Sequence, residues 1–334
     1  MTEPRGRQLR PGQTSRVHVF DIVAGTSRVV FESDTVLVEA PNVLDERTLV
    51  LNGDGDLVLL TVPEEPGLVL DAAALQRVPM AGVPEINNDH VLDPTRSSVV
   101  VSARDGELYR VALPGGSDEQ AVTRITDAAS VLPIRRKYYL HGIAPDGSLL
   151  AAIVGELAED GSWTTDVALV DPSNGATTFI TRDEYPDDGC AFTPDGGALL
   201  FNSERFSPGS AELVGVRMDS VRRGSGHDAI GAGQRQDAHA VAPFRITDDE
   251  RVNWFPHVSP DGEWLLYLSY PPGTQGHPED RPVELRMLPG SVAAGQEAAG
   301  EPAVLARLHG GQGTINVPPW SPSSRWFAFV DYPV

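Results

Sequence analysis

The chain has 334 residues, 40% of them hydrophobic and 22% charged, with a formal net charge of -21. That composition is globular, and so acidic a surface argues against nucleic acid and anionic membranes as partners. A single cysteine, Cys190, excludes an internal disulfide and a cysteine-rich zinc site, and no window of about 18 apolar residues offers a membrane span.

In chain order, residues 1–14 are polar and lack the apolar core of a secretory signal. They are expected to form a flexible tail on a cytoplasmic protein. "SRVHVFDIVAGTSRVVFES" (15–33) follows and predicts two strands joined by a turn. Then a motif recurs: an apolar strand, a turn centred on Pro-Asp-Gly, and a second strand rich in aliphatic and aromatic residues. Proline fixes φ and glycine accepts a positive φ, so the chain reverses there. Clear copies are "HGIAPDGSLLAAIVG" at 141, "CAFTPDGGALLFNSE" at 190, "HVSPDGEWLLYLSY" at 257 and "PPWSPSSRWFAFVDY" at 318. Weaker ones are "PNVLDERTLVLNGDG" at 41 and "DHVLDPTRSSVVVSA" at 89. The large residue before the turn falls at Val43, Val91, Ile143, Phe192, Val258 and Trp320.

Third and fourth strands are visible in "GELYRVALPGGSDEQAVTRIT" (106–126) and "DVALVDPSNGATTFIT" (166–181). Four antiparallel strands in a repeat of about 50 residues is the pattern of a propeller blade. The last copy ends after two strands, and the N-terminal pair supplies the missing third and fourth. The fold expected is all-β: a six-bladed β-propeller of four-stranded antiparallel blades, one domain over 15–334, its ring closed by the N-terminal strands.

The "SPDG" turns, with strands in this order from "VEAPNVL" to "GGQGTINVPPWSP", resemble the TolB-type six-bladed propellers. The runs "NNDH", "FNSER", "NWFPH", "GHP" and "GGQGTIN" resemble stand-alone bacterial TolB-like proteins in particular. Oligogalacturonate lyases, cytoplasmic propellers with a histidine-bound metal, are similar in architecture at a greater distance.

In a propeller the first strand of each blade lines the channel, so the residues that begin it ring one mouth. The segments are 38–42, 87–90, 138–142, 186–190, 253–257 and 314–318. They bring together Glu39, Asn42, Asn88, Asp89, His90, His141, Asp188, Trp254, His257 and Asn316. Loops on the same face add Glu204, Arg205, His277 and Gln312, with Arg286 close behind one of them. Asn87 and Asp187 are expected to bond loop backbone, Cys190 to fill the core, and Arg135 or Lys137 to edge the face. The insertion 222–243, with His227 and His239, is expected on the far side, away from the mouth.

Histidines and carboxylates in a cup suit general acid–base work. The expectation is therefore a carbohydrate-active enzyme, a glycoside hydrolase or lyase acting on a small saccharide. Glu39, Asp89, His90, His141, Asp188 and His257 are the candidate catalytic residues. Asn42, Asn88, Glu204, Arg205, Trp254, His277, Arg286, Gln312 and Asn316 are the candidate substrate contacts. His90, His141 and His257 would hold one divalent metal ion (Mn, Zn or Ca alike), and no organic cofactor is expected. The alternative is a non-catalytic propeller that binds a sugar or a protein or peptide partner.

Overall fold

The computed structural model describes residues 6–115, 122–127, 135–224, 242–297 and 300–334, without the side chains of 222–224. His227, His239 and most of the 222–243 insertion lie outside the described residues. No helix among the described residues is long and apolar enough to cross a membrane.

Five sheets have four antiparallel strands each, in sequence order. Their first strands are Val38–Val43, Ile86–Leu92, Arg135–Ile143, Asp187–Phe192 and Val252–Val258. These pack on one another around the axis. Second strands such as Ala198–Ser203 are buried at every position, because both faces meet neighbouring blades. The turns form as the sequence predicts, with one further device. In "TPDG" and "SPDG" the hydroxyl before proline donates to the turn aspartate: Thr193 Oγ1 to Asp195 and Ser259 Oγ to Asp261, both at 2.6 Å. The same aspartates accept backbone N–H groups two residues on. Two copies that lack the glycine, those at 89 and 318, put Arg96 (φ 59°) and Ser324 (φ 59°) in the left-handed region instead. Arg96 offsets that strain by donating to the carbonyls of Val43 and Leu44 on the preceding blade.

The sixth blade closes the ring: Trp326–Asp331 pairs with Ser15–Asp21, which pairs with Thr26–Ser33. Arg16 grips Asp331 through two bonds of 3.0 and 2.8 Å, and His18 reaches the same carboxylate at 3.0 Å. Here the structure departs from the expected four strands. The innermost segment, 311–320, forms no regular ladder with its neighbour: an isolated bridge between Trp320 and Phe327 and the bonds from Val330 N–H to Thr314 and Ala328 N–H to Pro319 are its backbone ties to that strand, so this sheet has three strands. Gly310, Gly311, Gly313, Pro318 and Pro319 explain it: glycine weakens a strand, and proline has no N–H to give the ladder. Several carbonyls of this segment, those of Gln312, Gly313, Ile315, Asn316 and Pro318, are consequently left to accept from groups of other elements.

The segment expected as a free tail is, from Gly6 on, held against the propeller. Gly6 N–H donates to Glu85 (2.9 Å), Gln13 Nε2 donates to Asp280 (2.6 Å), and Thr14 N–H donates to the Pro333 carbonyl (2.9 Å). Arg7 is the main anchor and belongs to the mouth.

Candidate functional site at the channel mouth

Inner strands of the first, fourth and fifth blades each carry a β-bulge at the mouth, between Glu39 and Asn42, Asp188 and Ala191, and Trp254 and His257. Each bulge puts one residue in the left-handed region: Ala40 (φ 52°), Gly189 (φ 59°) and Phe255 (φ 56°). For Ala40 and Phe255 that conformation costs about 1–2 kcal/mol. Ala40 N–H recovers a bond to the Gly313 carbonyl at 2.6 Å. Phe255 is swung across the channel to stack on His141 of the third blade, ring centroids 5.9 Å apart. Gly189 makes room for it, since a Cβ there would stand 2.9 Å from the Phe255 ring and 2.4 Å from Asn202 Oδ1.

Above Phe255 lies a charged cluster. His141 Nε2 stands 3.1 Å from Asp188 Oδ1, and its Nδ1 is 3.8 Å from Asp89 Oδ1 and 3.2 Å from the Asn316 carbonyl. Burial opposes a charge on this ring. The charge of Asp89 and the hydrogen bond to Asp188 outweigh it and lift the pKa to about 9, so His141 is an imidazolium at neutral pH. The effect on the acids differs. Asp188 is pushed up by burial, but the His141 hydrogen bond and the nearby His277 bring it below the usual carboxylate range. Asp89 stays raised, because burial and the Asp188 charge exceed the attraction of His141. His277 closes the outer side, 3.8 Å from Asp188 Oδ2 and with its ring 4.4 Å from that of Trp254. Asn87 donates to Asp89 at 2.6 Å.

The other half of the mouth is filled by Arg7. Its Nη1 donates to Glu39 Oε1 (3.1 Å) and to the Gln312 carbonyl (2.8 Å), its Nη2 donates to Asp280 Oδ1 (2.7 Å), and its Cζ sits 3.9 Å from the Tyr332 ring centre. Burial raises the pKa of Glu39 against the pull of Arg7, and the Asn88 side chain also hydrogen-bonds it. Gln312, expected as a side-chain contact, contributes its backbone oxygen.

His90 and His257 do not join His141. His257 donates Nε2–H to the Ile315 carbonyl at 2.7 Å; burial drives its pKa down to about 3. His90 turns Nε2 to the Val50 carbonyl at 3.4 Å, and burial lowers its pKa to about 4. Both are neutral. Among the described residues no group of three or more histidine, cysteine or acidic side chains is arranged to hold a metal ion, so the three histidines do not assemble the expected metal site. The reason is that two of the three rings are committed to carbonyls.

Several other expected contacts have structural tasks. Asn42 donates to the Pro318 carbonyl (2.6 Å) and accepts from Leu92 N–H (2.7 Å), stitching three blades together. Asn316 Oδ1 accepts from Gly313 N–H at 2.8 Å. Arg205 forks onto Asp187 rather than Asp188, at 3.0 and 2.9 Å. Glu204 accepts from Gly209 N–H within its own loop at 2.9 Å. Arg286 is turned away to Asp249 (2.6 Å) and Glu284 (2.8 Å). Cys190 is fully buried, as a core residue. Arg7, Asp280 and Tyr332 escaped notice in the sequence, because no local motif marks them.

No protein-family model matches the chain. It is 29% identical over 328 residues to an uncharacterised protein of Agrobacterium fabrum, covering 96% of this chain and 94% of that one. A solved structure described as a TolB candidate from Agrobacterium tumefaciens superposes with a TM-score of 0.73 at 29% identity, over 96% of this chain and 99% of the other. Oligogalacturonate lyase from Vibrio parahaemolyticus aligns with a TM-score of 0.50 and 9% identity, over 95% and 96%, a likeness of fold alone. These likenesses overturn the expectation of a carbohydrate-active enzyme. Similarity that reaches the sequence points to a TolB-type propeller, which fits non-catalytic binding better than glycoside hydrolysis or elimination. The geometry agrees, since Glu39 is engaged by Arg7 and both Asp89 and Asp188 by His141. The chain is a six-bladed β-propeller that resembles the TolB-type propellers.

Proposed function

We propose that the protein is a non-catalytic binding propeller that takes an extended peptide segment of a protein partner across this mouth. One observation carries the reading: residues 6–14 of the chain itself lie there as a non-helical segment, bonded through backbone and side chains to Glu85, Glu39, Asp280 and the Gln312 carbonyl. A surface that accepts its own chain in that form has the chemistry to accept another. Beside this segment Asp188 and His277 keep 21% and 25% of their side-chain area exposed, which leaves room for a ligand. Asn88 Oδ1 and Trp254 Nε1 are buried without hydrogen-bond partners, leaving one acceptor and one donor for a ligand backbone. Trp254 is 6% exposed with His277 over its ring, which favours a peptide over a sugar that would need the bare ring face.

The test is selection of random peptides on the immobilised full chain, followed by mass spectrometry of the eluted material. Selected peptides should be recovered uncut and should bind His277→Ala at least ~10-fold more weakly. Failure to select any peptide whose binding depends on His277, or recovery of cleaved products, would contradict the reading.

A further inference from the structure

The pocket around Arg7 has the build of a receptor for an arginine side chain. Its parts come from four separate stretches: Glu39 on the first inner strand, Asp280 in the loop after Trp264–Tyr270, the Gln312 carbonyl, and Tyr332 near the C-terminus. Two carboxylates and one carbonyl meet the fork, and an aromatic ring lies against its face. A planar guanidinium uses all four at once, whereas a lysine ammonium has no plane to stack.

The walls stand without Arg7. Tyr332 Oη donates to the Val38 carbonyl at 3.2 Å, and Gln13 donates to Asp280 at 2.6 Å. Gly313, at φ +88°, passes so close that a Cβ would lie 2.6 Å from Glu39 Oε1 and 2.5 Å from Tyr332 Oη. Any side chain at that position would invade the pocket.

The Arg7 side chain is held through its guanidinium head. Arg7 is 12% exposed, yet Gln8, Arg10, Pro11 and Gly12 are exposed. Arg7 Nε is buried without an acceptor, so the occupant leaves one donor unsatisfied. Asp280 has its second oxygen on Arg10, 3.0 Å away and 62% exposed, so the site engages a second positive charge three residues along. We propose that Glu39, Asp280, the Gln312 carbonyl and the Tyr332 ring form an arginine subsite of the mouth, filled in cis by Arg7 and taken in trans by an arginine of a basic partner peptide. This rests on the peptide-binding reading and gives it a partner class and a built-in competitor. The acidity of the chain, net -21, draws such a peptide in.

Arg7→Ala in the full chain empties the subsite, and N-acetylarginine amide is the probe. It should raise the melting temperature of Arg7→Ala by ~2 °C or more at millimolar concentration, and that of the native chain by much less. N-acetylcitrulline amide, which keeps the shape without the charge, should give no shift. Adding Glu39→Gln to Arg7→Ala should abolish the response. Arg7→Lys keeps a charge opposite Glu39 and serves if the alanine variant does not fold; it should show a smaller shift in the same order. Equal shifts with arginine and citrulline probes, or none with either, would overturn the subsite. Library peptides that still bind through His277 would then leave the peptide-binding reading standing. A native chain that responds as strongly as Arg7→Ala would overturn occupancy by Arg7.

Discussion

His141 and His257 hang from adjacent carbonyls of one irregular segment, Asn316 and Ile315, and both are almost completely buried. One is charged, with a pKa of about 9, and the other neutral, with a pKa of about 3. Burial and a carbonyl acceptor are common to both, so neither decides the matter. The difference is Asp89 and Asp188, which flank only His141. At this mouth the carboxylates make one histidine an electrostatic centre, and their absence leaves the other a structural tie between blades.

The largest way to break the contrast is to remove each ring. His141→Leu leaves Asp89 and Asp188 without their shared cation and should cost about 3–5 kcal/mol in urea unfolding at pH 7. His257→Leu removes only a neutral donor from the Ile315 carbonyl and should cost about 1–3 kcal/mol. Equal losses would mean that the two histidines are doing the same thing.

A smaller effect, with opposite signs, should appear in the pH dependence of stability. His141 has a raised pKa, so its contribution is complete below about pH 6.5 and is lost as pH rises through about 9. His257 and His90 have lowered values, so their contributions are complete above about pH 6.5 and are lost as pH falls towards about 4 and then about 3. The native-minus-variant difference in stability should therefore fall along the alkaline limb for His141→Leu and along the acid limb for His257→Leu, and be flat elsewhere. The same limb in both difference curves would contradict the assignment.

How much of this was legible in the sequence follows from the distance over which each interaction acts. The Ser/Thr-Pro-Asp-Gly turns were readable because the hydroxyl, proline, aspartate and glycine act within a few residues. The circular closure was readable because a half-blade at each end can be completed only by the other. From the blade count came the nearness of Asp89, His141 and Asp188, on three different blades. The commitments of His90 and His257 were not readable. That of His257 depends on carbonyls freed where the sixth inner segment fails to pair, and the signal available was the run of glycine and proline from 310 to 319. Arg7 was the hardest of all. Its partners Glu39, Asp280 and Gln312 lie 32, 273 and 305 positions away, so its polar surroundings in the chain suggested a loose tail.

The central claim is that the mouth is a fixed electrostatic surface for binding, because its key histidine stays charged through the neutral range and is not poised to exchange protons near pH 7. Nitrogen NMR of the His141 imidazole across pH 5–10 tests it directly. The account predicts both ring nitrogens protonated at pH 7.5, with a midpoint near 9. A midpoint near the ordinary value of about 6.5 would make His141 a proton-exchanging group and contradict it.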